Sequence, residues 1–71
     1  MYNQENYLAE KFFHNIRMLG YCYYIYHPSE ISEQCMNNVI QLLNQATNQL
    51  DIQIFDEEDG SKVFYARVKI G

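Results

Sequence analysis

His14, Cys22, His27 and Cys35 are the residues of this 71-residue chain with the chemistry to hold a zinc ion. Their gaps of eight, five and eight residues match no finger or ribbon, which place ligands in close pairs. Ser29 stands two residues from His27, a hydroxyl near a base, but no nucleophile-elbow motif surrounds it. A serine just after Pro28, at the start of a helix, reads as a cap. Residues 56–60, DEEDG, gather four carboxylates without the alternating ligands and distant glutamate of a calcium loop. They read as a solvated hairpin tip. Three glycines form no phosphate-cradling pattern. The chain is therefore expected to be no enzyme and to carry no metal or cofactor.

The residues suited to binding a partner are more numerous. Residues 21–27, YCYYIYH, hold four tyrosines in seven positions. Tyrosine is enriched in interface cores because a rigid ring buries much area while its hydroxyl still finds a partner. Nine acids stand against five bases, a formal charge of −4. That balance argues against a general nucleic-acid surface or an anionic-membrane surface. Codons rich in A and T would raise the Tyr, Asn and Ile counts without functional demand, but they would also enrich Lys, of which there are three. The candidate partner-binding residues are Tyr21, Tyr23, Tyr24, Tyr26 and Tyr65, the amides Asn44 and Asn48, and the acids Asp56, Glu57, Glu58 and Asp59.

These side chains must be positioned by a small fold. Leu8, Phe12, Ile16 and Leu19 lay one apolar stripe on a helix over residues 4–19, which Gly20 can end in the left-handed conformation. Residues 21–27 favour a strand stopped by Pro28. Alternation puts Tyr21, Tyr23, Ile25 and His27 on one face and Cys22, Tyr24 and Tyr26 on the other. Neither face is plainly polar, so the strand is covered on both sides or offered to a partner on one.

A second helix begins with Ser29 or Ser32 as N-cap. Ile31, Cys35, Val39, Leu42, Ala46 and Leu50 carry its stripe across twenty residues. Its polar side is all amides apart from Thr47, a face cheaper to desolvate than a charged one. Residues 51–70 read as a β-hairpin. Directly opposed residues share a face, which excludes a two-residue turn at Asp59-Gly60 and demands a three- or five-residue loop ending at Gly60. Ile54 then opposes Phe64 and Ile52 opposes Ala66, while Gln53, Phe55, Val63, Tyr65, Arg67 and Lys69 point outward.

The expected class is α+β in the order α-β-α-β-β: one small domain over 1–71, with a three-stranded mixed sheet and a C-terminal hairpin packed on two helices. The alternative is a winged helix-turn-helix, in which the long helix breaks near Asn37-Asn38. Gln41, Asn44, Gln45 and Asn48 would then read adenine edges. A DNA binder typically contacts about 6–10 phosphates through Lys and Arg. Here none of the five bases falls in the would-be reading helix, and only Lys62, Arg67 and Lys69 lie on the wing.

A core this small rarely supplies more than roughly 3–5 kcal/mol unaided. Self-association is therefore expected, as a homodimer through the amide face of residues 34–49 or through the open edge and outer face of residues 21–27. No apolar run is long enough to span a membrane, no signal peptide precedes the fold, and two cysteines make no secreted-type framework, so a cytoplasmic location is expected. In general character (short, acidic, single-domain and motif-free) the chain resembles small phage and mobile-element inhibitors, anti-CRISPR proteins among them. No specific motif carries that likeness. It implies a regulator or inhibitor whose protein partner, a nucleic-acid-handling protein, offers a basic groove, with no membrane binding and no strong direct nucleic-acid binding.

Overall fold

In a computed structural model, residues 3–47 and 49–69 are described. Helix α1 spans Gln4–Leu19. Asn3 caps it, its side-chain oxygen accepting from the N–H groups of Glu5 at 2.9 Å and Asn6 at 3.4 Å, which satisfies donors that the first turn leaves open. Leu8, Ala9, Phe12 and Ile16 are buried, as the stripe requires. Leu19, expected on that stripe, is exposed because it falls in the last turn, beside the reversal. Gly20 makes that reversal at φ +84°, and its N–H donates to the Ile16 carbonyl at 2.8 Å.

Strand β1 spans Tyr21–Tyr26 and helix α2 spans Glu33–Ala46. Ser32 is the cap of α2, its hydroxyl accepting from Cys35 N–H at 3.1 Å; Ser29, the other candidate, binds His27 instead. The helix runs unbroken through Asn37-Asn38. It stops at Ala46, short of the expected residue 50, and Leu50 begins β2, Leu50–Asp56. Leu50 fits the strand period of Ile52 and Ile54 as well as the helical stripe that ends at Ala46. Pairing with the last strand decides between them, as where Lys69 N–H donates to the Gln49 carbonyl at 2.7 Å. With two helices among the described residues, the winged helix-turn-helix arrangement is not formed.

Strand β3 spans Lys62–Val68, and the sheet order is β1-β3-β2. The element order and the three-stranded sheet are as expected, but every pairing is antiparallel where a mixed sheet was expected. Strands β1 and β2 do run parallel to each other, with β3 inserted between them. The tight hairpin holds β3 beside β2, and the free side of β3 takes β1. Phe64 and Ala66, on the helix-covered face of this central strand, are fully buried. Ile54 pairs with Phe64 and Ile52 with Ala66, the register demanded by the same-face rule.

Both helices cover one face of the sheet. Leu8, Phe12, Ile16, Met36, Val39 and Leu43 form one core with Cys22, Tyr26, Leu50, Phe64 and Ala66. Among the described residues no helix is long and apolar enough to cross a membrane.

Candidate functional site

Strand alternation sends the remaining side chains to the face that no helix covers. Three cross-strand rows stand there: Tyr21–Arg67–Asp51, Tyr23–Tyr65–Gln53 and Ile25–Val63–Phe55. Tyr23 is 57% exposed, Ile25 56% and Phe55 48%. Val63, between Ile25 and Phe55, is only 4% exposed although it lies outside the helix-side core. Its neighbours on both strands shield it, and the result is a continuous apolar patch of a kind that marks interaction sites. The rings of Tyr21 and Tyr65 stack with centroids 6.5 Å apart. At that end Arg67 Nε lies 3.6 Å from Asp51 Oδ2.

The other end is acidic. Glu57 N–H donates to the Ser61 carbonyl at 2.9 Å, and Gly60 N–H donates to the Glu57 carbonyl at 3.1 Å. These bonds close a three-residue loop, with Gly60 at φ +90° in the left-handed position of the expected loop type. Asp59 Oδ1 accepts from Ser61 N–H at 2.9 Å and from its hydroxyl at 2.6 Å. Those hydrogen bonds hold the Asp59 carboxyl below its ordinary value by favouring the charged form. Tyr23 and Ile25 share a shallow hollow with Glu57, Glu58, Asp59 and Ser61. The structure thus places the apolar rows directly beside three carboxylates, an arrangement suited to a basic group carried on an apolar surface.

Of the residues predicted for partner binding, Tyr21, Tyr23, Tyr65, Glu57, Glu58 and Asp59 meet on or beside this face. Tyr24 and Tyr26 point to the helix side instead. Tyr26 is only 6% exposed, and burial pushes its hydroxyl above the ordinary value despite nearby Lys62. Tyr24 packs on Phe12 with centroids 5.3 Å apart and lies under Lys11 Nζ. Asp56 also lies on the helix side of the hairpin, where its Oδ1 binds Lys62 Nζ at 2.8 Å. Asn44 is exposed on α2, in the helix layer and not on the open sheet face. Asn48 lies outside the described residues. Ile25, Phe55 and Val63 were missing from the predicted set. Alternation alone had already put them on the outer face.

Among the described residues, reactive groups do not converge elsewhere. His27 Nδ1 lies 2.8 Å from Ser29 Oγ, but the same nitrogen also accepts from Ser29 N–H at 3.2 Å. The pair is exposed and builds the turn that follows β1. Cys22 is buried and Cys35 half-buried, and burial raises both thiols. Among the described residues no three His, Cys, Asp or Glu side chains are grouped as a metal-ligand set. An open cleft of about 350 Å³ lies between the start of α2 and the hairpin, floored by Ile31, Met36 and Ile54 and edged by Glu33 and the Asp56–Lys62 pair. Compared with family models, curated proteins and solved structures, the chain matches none.

Proposed function

We propose that this chain is a protein-binding module of the cytoplasm that inhibits or regulates a nucleic-acid-handling protein of the kind met by phages and mobile elements. The partner surface it fits is basic and partly apolar. One observation carries the reading: the uncovered sheet face sets Tyr23, Ile25, Val63 and Phe55 beside Glu57, Glu58 and Asp59. Apolar rows supply buried area, and the three carboxylates supply charge complementarity and speed encounter. A groove built to hold phosphates presents the matching pattern of Lys and Arg. The chain would then act by occupying that groove in place of nucleic acid.

Affinity capture with the native chain and two variants tests this. Phe55→Glu places charge in the apolar rows at an exposed position, so the variant should stay folded. Asn44→Glu alters the helix layer alone. The captured protein should be lost with the first variant, kept with the second, and released by duplex nucleic acid. Capture that ignores the sheet-face substitution, or a partner that binds nucleic acid and this chain at once, would overturn the reading.

A further inference from the structure

Strand β1 is an edge of the sheet, and one hydrogen bond sets the phase of its backbone. Val68 N–H donates to the Gly20 carbonyl at 3.3 Å. In an antiparallel ladder hydrogen-bonded and non-bonded pairs alternate, so Gly20, Cys22, Tyr24 and Tyr26 face β3. The N–H and C=O groups of Tyr21, Tyr23 and Ile25 therefore point away from the sheet. The strand has no Lys, Arg, Asp, Glu or Pro, the residues by which natural edges resist pairing. Edge strand β2 carries Asp51 and Asp56. The same three residues of β1 also present the exposed apolar side chains of the outer face.

Charge is divided along this strand. Arg17, in the last turn of α1, and Arg67, opposite Tyr21 and beside Asp51, lie at the beginning of β1 and outnumber the one acid there. Glu57, Glu58 and Asp59 lie beside its end, where the one lysine, Lys62 opposite Tyr26, is taken up by Asp56. A copy laid antiparallel sets the acidic end of each chain by the basic end of the other, whereas a parallel copy would align like charges.

We propose that a second copy of this chain pairs antiparallel with β1 about a two-fold axis at Tyr23, joining two sheets into one. Tyr23 then faces Tyr23 of the second copy, and Tyr21 faces Ile25. About six backbone hydrogen bonds form between the edges, and each aromatic or β-branched pair adds roughly 0.2–1 kcal/mol. The amide face of α2 is the weaker seam. Asn38 Nδ2 already donates to Glu5 Oε1 at 3.0 Å, and Gln34 Nε2 to Asn38 Oδ1 at 3.3 Å. The inference goes beyond the partner-binding reading and fails separately from it: Phe55 on β2 belongs to the partner face and lies at the far edge from the two-fold axis.

Sedimentation of the full chain decides the matter. The native protein should double its mass at micromolar concentration. Tyr23→Lys sets two ammonium groups across the axis at an exposed position, so the variant should stay folded by circular dichroism and dissociate at least about tenfold more readily. Asn44→Glu should sediment as the native protein does. Should Tyr23→Lys fail to fold, hydrogen exchange of the native protein replaces it: the amides of Tyr21, Tyr23 and Ile25 should exchange at least about tenfold more slowly in the associated form than after dilution. A native chain that stays monomeric, even one that takes up a foreign extended peptide, overturns the proposal. So does a Tyr23→Lys variant that remains dimeric, or edge amides that exchange freely in a dimer.

Discussion

Phe12 of α1 and Phe64 of β3 stack with ring centroids 4.7 Å apart and planes 16° from parallel, and both are wholly shielded from solvent. This contact joins the first helix to the central strand and so ties the helix layer to the sheet. Phe64→Ala would remove about 3–5 kcal/mol, as much as a core of this size supplies in total. The variant should be largely unfolded at room temperature by circular dichroism, while Phe64→Leu should fold with a lowered midpoint. A native-like melting curve for Phe64→Ala would contradict the placement of this ring.

Gly20 isolates a backbone effect. A Cβ added there meets nothing within 4 Å, yet φ is +84°. The cost of Gly20→Ala is then conformational alone, about 1–2 kcal/mol, and Gly20→Asn should cost less because asparagine tolerates this region. Equal losses for the two in urea titrations would show that something other than φ is at stake.

The two thiols should behave differently. Burial raises the thiol of Cys22 above the ordinary value of 9.0, an effect only partly offset by a hydrogen bond from Asn15 and the charge of Lys11. A folded-state value above the unfolded one means that the native form holds its proton more tightly. The associated stability is complete below pH 9.0 and is lost as pH rises through the folded value. Under native conditions at pH 8 an alkylating agent should modify half-buried Cys35 first and Cys22 only on unfolding. Mass spectrometry of peptides after brief labelling reads the order, and prior modification of Cys22 would contradict it.

The cap of α2 provides a smaller, local test. Ser32→Ala removes the acceptor for Cys35 N–H and should lower stability by about 1 kcal/mol. Ser29→Ala should cost much less, since its hydroxyl serves an exposed turn. A larger loss at Ser29 would place the start of the helix wrongly.

Val63 and Phe55 separate packing from binding on the outer face. Val63→Ala empties a shielded site and should destabilise the fold by roughly 1–2 kcal/mol. Phe55→Glu should leave the melting midpoint nearly unchanged and still abolish capture of the partner. If Phe55→Glu unfolds the chain, the face is structural and the binding assignment falls.

The chain's local order was legible wherever a rule acts over a few residues. The stripe Leu8, Phe12 and Ile16 with Gly20 behind it specifies α1, because helical periodicity and a left-handed cap are both short-range. The requirement that opposed residues share a face places Ile54 against Phe64 from the sequence alone. Alternation divided the tyrosines of β1 correctly, Tyr21 and Tyr23 from Tyr24 and Tyr26. What the tertiary structure alone decided involves competition between distant segments. Leu50 suits the last turn of a helix and the first residue of a strand equally, and pairing with β3 chose the strand. Val63 is outward by alternation and buried in fact, because Ile25 and Phe55 arrive on either side from segments far apart in sequence. The central place of β3, and with it the open edge of β1, depends on the total surface that the three strands and two helices bury together. That quantity belongs to the assembled sheet and to no single stretch of residues.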